Sequence, residues 1–330
     1  MTRLSISVAM CTYNGERYLQ EQLDSIAAQD HLPDELVVVD DVSKDNTTTI
    51  LRQFAERVPF PVRILINESN LGSTKNFEKA AVHCTGDILV FADQDDAWRR
   101  DRLSATQQFF LDNPDKDGFF SNATLIDGQS NPVGRTIFDE IQFTPEQQAR
   151  WRSGKAYDIL YYGYVVTGAT MAIRRSVLER VLPFPTHIKY LIHDGWISLI
   201  LALEDKIDFT NEQLISYRQH EHQQVGFKAP RKKVTLVDRL MRGREEKLHF
   251  IQLEYDRFKQ LYELLDSRPD TPKEKLQLLA QKRDHLWFRA NLSPFHHRRI
   301  LPVLREYSSG NYRRFNGYWL HTVLGDLLEN

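Results

Sequence analysis

From residue 4 the chain alternates short apolar runs with segments whose apolar positions recur at helical spacing. Residues 4–10 mix apolar and small side chains as a strand does. Residues 16–28 then bring Tyr18, Leu19, Leu23, Ile26 and Ala27 onto one helical face. Three valines, Val37, Val38 and Val39, mark a second strand over 35–39. A helix over 45–57 carries Ile50, Leu51 and Phe54, followed by a strand at 62–66, a helix at 73–83 and a strand at 87–91. This alternation predicts an α/β fold with a mostly parallel sheet covered by helices on both faces. Ligands of such sheets bind outside the carboxyl ends of the strands, so the polar residues there are the first place to look for chemistry.

The middle of the chain is less regular. Residues 119–123 read as a strand and Asn131-Pro132-Val133-Gly134 as a turn. Residues 165–173 read as a strand interrupted at Gly168, followed by a helix over 175–181. A helix begins near His193, and 212–217 form a further strand. After Pro230 the pattern changes to long helices over 232–265, 273–289 and 298–307. The expected division is therefore a first domain at 1–228 and a helical C-terminal extension at 229–330.

Charge sharpens that division. The net charge of −2 excludes a strongly basic nucleic-acid binder for the chain as a whole. Residues 1–227 carry 22 Lys and Arg against 32 Asp and Glu, whereas residues 228–330 carry 21 against 13. The tail also interleaves Arg298, Arg299, Arg313 and Arg314 with Phe295, Tyr312, Phe315, Tyr318 and Trp319. That mixture suits packing on the first domain or on a second subunit of a homo-oligomer, or peripheral contact with a membrane surface. Two cysteines, Cys11 and Cys84, provide no disulfide framework, and no apolar run reaches the length of a membrane span. With a strand pattern starting at once, the expectation is a cytoplasmic protein, with the inner membrane face as its place of peripheral contact.

Three strand ends carry unusual polar groups. The fourth strand runs into Asp93-Gln94-Asp95-Asp96, three carboxylates within four residues. Asp93 and Asp95 are spaced to share one hard divalent cation, while Asp96 also suits the cap of a helix beginning near Arg99. The first strand ends in Thr12-Tyr13-Asn14-Gly15 and the second in Asp40-Asp41. A carboxylate there can accept a hydrogen bond from a pyrimidine imide, and Tyr13 offers a flat face for a base or for core packing. Asp194, two residues before Trp196, is either a helix cap or a base able to take a proton from a hydroxyl. Gln147-Gln148-Ala149-Arg150-Trp151 spells a short motif of processive synthases, but it precedes the candidate base and reads as coincidence.

Four pieces in order, namely residues 7–14, 38–47, Asn70-Leu71-Gly72 and 91–96, make the chain similar to the family-2 glycosyltransferases of the GT-A fold. The resemblance extends to about Gly226. It implies that Thr12, Tyr13, Asp41, Gly72 and Asp93 line the nucleotide, and that Asp93 and Asp95 form the DxD pair holding Mg2+ or Mn2+ on the donor diphosphate. It makes Asp194 the catalytic base, matches Tyr217-Arg218-Gln219-His220 to the segment closing over the donor, and casts Arg218 as a diphosphate contact and His220 as a metal or diphosphate contact. His222 has no assigned role. The texture of these motifs resembles bacterial rhamnosyltransferases. The expected function is therefore an inverting, metal-dependent transfer from a nucleotide-sugar donor, dTDP-rhamnose ahead of a UDP-sugar. The acceptor would be a glycan or a lipid-linked glycan in cell-surface polysaccharide synthesis. A non-catalytic nucleotide-sugar-binding scaffold is the rival expectation, and it predicts erosion of Asp93, Asp95 or Asp194, all of which are present.

Overall fold

Four strands, β1 (Ile6–Thr12), β2 (Glu35–Asp40), β3 (Val62–Ile66) and β4 (Ile88–Ala92), pair in parallel in the order β3-β2-β1-β4. They are seen in a computed structural model that describes residues 3–161, 163, 165–221 and 244–328. The chain forms two units, Met1–Phe227 and Lys228–Asn330. Every residue of β2 and β4 is buried, which is why these strands read as unbroken apolar runs. Three helices, α1 (Leu19–Ala27), α2 (Thr47–Arg57) and α3 (Ser73–His83), connect them, and each turns a stripe such as Leu19, Leu23 and Ile26 into the core.

Beyond β4 the sheet is mixed. The further strands are β5 (Ala97–Trp98), β6 (Gly118–Ile126), β7 (Pro132–Thr136), β8 (Met171–Arg174) and β9 (Ile207–Arg218). Order β4-β8-β6-β9-β5 completes the sheet, with β7 on β6; β6 and β9 are parallel, and the other four new pairings are antiparallel. The sheet is thus wholly parallel over β1 to β4 and mixed beyond, where β6 and β9 are the parallel pair. The turn expected at 131–134 lies earlier, at 127–130, and Pro132 opens β7 instead. Of the stretch 165–173, only Met171 to Ile173 belong to a strand, β8; Gly168–Thr170 is a helical turn.

The helix α4 (Arg102–Asp112) starts three residues later than expected. Ala97 and Trp98 pair with Ser216 and Ile215 of β9 instead, a contact distant in sequence that local periodicity does not report. Four short helices, α5 (Ile137–Glu140), α6 (Pro145–Arg150), α7 (Ala156–Leu160) and α8 (Leu178–Val181), precede α9 (His193–Leu203), which is buried along its whole length. Trp151, the tryptophan of the QxxRW-like stretch, is a core residue: its indole N–H donates to the Ile207 carbonyl at 3.0 Å and its ring packs on Phe120, Phe143 and Phe209.

The second unit contains α10 (Arg244–Asp266), α11 (Lys273–Ala290), α12 (His296–Ser308), α13 (Asn311–Phe315) and α14 (Trp319–Leu328). The first twelve residues of the helix expected over 232–265, and His222, lie outside the described residues. A small apolar core of Leu292, Val303 and Tyr312 is extended by Phe288, Trp319, Val323 and Leu327. Beside it sits a buried polar hub. Asp326 is fully buried and accepts from Arg289 Nε at 2.7 Å and Tyr312 Oη at 2.8 Å, with Lys247 Nζ 3.1 Å away. Arg299, also buried, donates to the Asp326 carbonyl at 3.4 Å and to the Ser293 and Pro294 carbonyls. One carboxylate thereby ties together side chains from α10, α11 and α13. Among the described residues no helix is long and apolar enough to cross a membrane.

Candidate active site

Parallel pairing sets the ends of β1, β2 and β4 side by side. Thr12 is opposite Asp40, and Met10 opposite Ala92, so the loops after all three strands open onto one edge. Thr12 Oγ1 donates to Asp40 Oδ2 at 2.8 Å, and Ser43 donates to the same carboxylate through both its N–H and its hydroxyl. Asp40 is therefore consumed in shaping its own turn. Tyr13 stands in the open, 50% exposed, and is free to serve as a stacking face. Its backbone is clamped by Gln94: Tyr13 N–H donates to Gln94 Oε1 at 2.8 Å and Gln94 Nε2 donates to the Tyr13 carbonyl at 3.1 Å.

Asp41 is buried and accepts three hydrogen bonds. Leu71 N–H at 2.8 Å and Asn67 Nδ2 at 2.7 Å reach one oxygen, and Gly72 N–H at 2.9 Å reaches the other. The Asn70-Leu71-Gly72 loop is hung from this carboxylate. Gly72 has φ +77°, a left-handed conformation open to glycine at no steric cost. The structure thus brings Asp41 and Gly72 together, with Asp41 organising the loop.

In the acidic loop, Asp93 and Asp95 are half-buried and Asp96 is buried. Burial, then the charges of Asp95 and Asp194, push the Asp93 carboxyl up to about 7, with Arg102 opposing. Negative charge therefore converges here without enough positive charge to offset it. Asp95 Oδ2 lies 2.8 Å from His220 Nε2, and the His220 ring packs on Tyr18 at 4.9 Å. Among the described residues no group of three His, Cys, Asp or Glu is arranged to hold a metal. A carboxylate pair with a histidine alongside nonetheless fits a divalent cation whose remaining ligands are phosphate oxygens and water.

Two expectations are corrected. Asp96 does not cap a helix: its Oδ1 accepts from the backbone N–H of Arg218 at 3.0 Å, and burial with the neighbouring Asp95 and Asp93 charges raises its carboxyl well above the ordinary value. Arg218, expected on the diphosphate, has a side chain with 0% exposure. Its guanidinium donates to the Asp95 carbonyl at 2.7 Å, Ser130 Oγ at 2.8 Å and Glu21 Oε2 at 2.6 Å, and lies over the Tyr18 ring. It fastens the acidic loop from behind, since every direction of its planar fork is occupied by protein.

Asp194 is buried on the first turn of α9. Its Oδ2 accepts from Gly168 N–H at 2.7 Å and its Oδ1 from Gly195 N–H at 2.6 Å, which fixes the plane of the carboxylate. His193 beside it is buried against Phe77, 4.1 Å between ring centres, and Phe91. Burial pulls its imidazole below the ordinary value despite the opposing charge of Asp194, so the ring is neutral. A methyl group on Gly168 would come within 2.5 Å of His193 Nε2 and 3.3 Å of Asp194 Oδ2. The ring has no room to retreat between its two phenylalanines. Gly168→Ala is accordingly expected to displace Asp194 and lower turnover about 100-fold, the scale of a 1 Å misplacement, which steady-state kinetics beside a melting curve would check.

The pattern described as Glycosyl transferase family 2 matches residues 7–182. The chain belongs to that family. An uncharacterized glycosyltransferase of Nostoc sp. is 30% identical over 226 residues, covering 66% of this chain and 65% of the relative, so the match takes in less than two thirds of that protein. The dTDP-rhamnosyl transferase RfbG of Shigella flexneri is 28% identical over 243 residues, 69% of this chain and 78% of that one. In fold, the chain is similar to the mannosyltransferase PcManGT of Pyrobaculum calidifontis, solved with GDP-Man and Mn2+, at a TM-score of 0.53 and 19% identity over 99% of this chain and 85% of that one. The α/β architecture is thus the GT-A fold with a helical unit following it.

Two residues of the candidate site escape motif reading. Arg102 is buried, donates to the Phe91 and Ala169 carbonyls at 3.1 and 2.6 Å, and covers the Trp98 ring at 3.9 Å. Burial pulls it down to about 9, leaving it charged at neutral pH as a counter-ion for Asp93 and Asp96. Gln94 is the spacer of the DxD pattern, and nothing in its sequence context marks it as a clamp. The two cysteines stay thiols: burial pushes Cys84 up to about 12, and burial followed by the charges of Asp93 and Asp41 raises Cys11.

Proposed function

We propose that the protein transfers a sugar, with inversion, from a nucleoside diphosphate sugar to a hydroxyl of a glycan or lipid-linked glycan acceptor. The observation that carries this reading is the convergence of Asp93, Asp95 and Asp194. The Asp194 charge is felt at Asp93, which sits at about 7, at the sheet edge where Tyr13 stands exposed. In this reading Tyr13 stacks on the base, and the loop through Gly72, held by Asp41, borders the nucleotide.

Asp93, Asp95 and His220 would hold Mg2+ or Mn2+, which when bound supplies charge neutralisation for the departing diphosphate. Arg218 and Gln94 keep the loop carrying these ligands in place. Asp194, its plane set by Gly168 and Gly195, takes the proton of the acceptor hydroxyl as that oxygen bonds to the anomeric carbon. The bond from that carbon to the diphosphate oxygen breaks, and the nucleoside diphosphate leaves. Attack on the face opposite the leaving group inverts the anomeric configuration. The dTDP-rhamnosyl activity in the name of the Shigella relative supports dTDP-rhamnose as donor.

The test is a thermal-shift panel of dTDP-, UDP- and GDP-sugars with and without Mn2+. A metal-dependent rise in midpoint with dTDP-rhamnose is expected, and it should vanish in Asp95→Ala, where the cation loses a ligand. A panel without any shift would favour a protein that has kept the fold and lost the donor.

A further inference from the structure

Helix α12 turns one side inward and leaves the other bare. Arg299 and Val303 are buried, whereas Ile300, Leu301 and Leu304 are 48%, 67% and 50% exposed, and Phe295 at the helix start is 55% exposed. At 100° per residue, Ile300, Leu304 and Leu301 fall within one arc, and Arg298 and Arg305 stand together along its edge. Both arginines are exposed, and the Arg298 guanidinium lies 5.1 Å from the centre of the Phe295 ring. No carboxylate occurs between Leu292 and Arg305. The helix α14, which shares the core of Val303 through its Val323 and Leu327, likewise exposes Leu320, Leu324 and Leu328.

We propose that α12 lies on an anionic phospholipid surface, with Ile300, Leu301 and Leu304 among the acyl chains and Arg298 and Arg305 at the head groups. An exposed apolar arc edged by arginine is the arrangement that binds at such an interface, where burial and charge act together. A second copy of the chain suits the face less well. In a two-fold contact the arginine edges of the two helices would be brought toward each other, within a unit already carrying 21 basic residues against 13 acidic. Phosphate head groups offset that charge.

The test is co-sedimentation of the full chain with phosphatidylcholine vesicles containing or lacking phosphatidylglycerol, at low and high salt. The expected result is binding to the phosphatidylglycerol vesicles alone, weakened by salt. The double variant Leu301→Asp/Leu304→Asp should lose about tenfold or more in partitioning, as charged residues replace buried apolar ones. Arg298→Glu/Arg305→Glu should lose the preference for phosphatidylglycerol. These positions are on the surface, and unchanged circular dichroism would show that both variants fold. The proposal is overturned by binding to neither vesicle, by equal binding to both, or by full binding of the Asp variant. Analytical ultracentrifugation adds a further outcome: an oligomer that the Asp variant dissociates, in a protein that ignores vesicles, would give the face to a second copy.

Discussion

Replacing Asp194 by asparagine is expected to lower turnover by about 10²- to 10⁴-fold, the contribution of a positioned general base. Two features give this substitution its leverage. The carboxylate is held by Gly168 and Gly195 N–H groups at 2.7 and 2.6 Å, so the proposed proton acceptor is fixed before any acceptor sugar arrives. An asparagine can satisfy only one of those two donors with its oxygen; its NH2 group faces the other. The variant therefore loses both the base and part of its anchoring. Donor binding, read by the thermal shift with nucleotide-sugar and Mn2+, should survive, because Tyr13, Asp41, Asp93 and Asp95 are untouched. Full transfer activity in Asp194→Asn would remove the base assignment while leaving the donor site standing.

Asp326→Ala is expected to unfold the helical unit, or to destabilise it by about 3–5 kcal/mol, the cost of stranding buried partners of a lost charge. Arg289 Nε and Lys247 Nζ lie 2.7 and 3.1 Å from this carboxylate, and Tyr312 donates to it at 2.8 Å. Unlike a surface ion pair, these groups have no water to turn to. Against a domain stability of roughly 5–15 kcal/mol, that loss is large, and circular dichroism during urea unfolding would measure it. The same hub has a pH signature. Burial raises the Asp326 carboxyl, but Arg289 and Lys247 together pull it below the ordinary carboxylate value. A group depressed in the folded state contributes stability that is present above its unfolded value and is lost as pH falls through the folded one. The helical unit should thus hold its stability down to the ordinary carboxylate range and weaken below it.

The parallel half of the sheet was legible in the sequence because burial on both faces leaves uninterrupted apolar runs, as in Val37, Val38 and Val39. The helix expected over 73–83 likewise has the bounds of α3, since Phe77, Ala80 and Ala81 repeat at helical spacing. Local pattern failed where partners are far apart in the chain. The two residues of β5 are a strand only because β9 lies beside them, so local pattern marks the segment as the approach to a helix. Arg218 resembled a phosphate ligand by its neighbours in sequence, yet Glu21, Ser130 and the Asp95 carbonyl surround it in space. The motif residues Tyr13, Asp41 and Asp93 do gather at one edge, as strand-end position implied. Arg102 behind the carboxylates and, within the helical unit, the hub around Asp326 are made of ordinary residues whose importance comes from burial alone.

Gln94 has a consequence for how such a protein can change over time. Its amide grips the Tyr13 backbone from the middle of the acidic loop, so the two ends of the proposed donor site share one fastener. A substitution that re-aimed Tyr13 toward a different base would drag on the loop carrying Asp93 and Asp95. On the proposed function, base preference and cation affinity would therefore be inherited together, and redesigning the donor would mean recutting the joint at Gln94 as well as the face that meets the base.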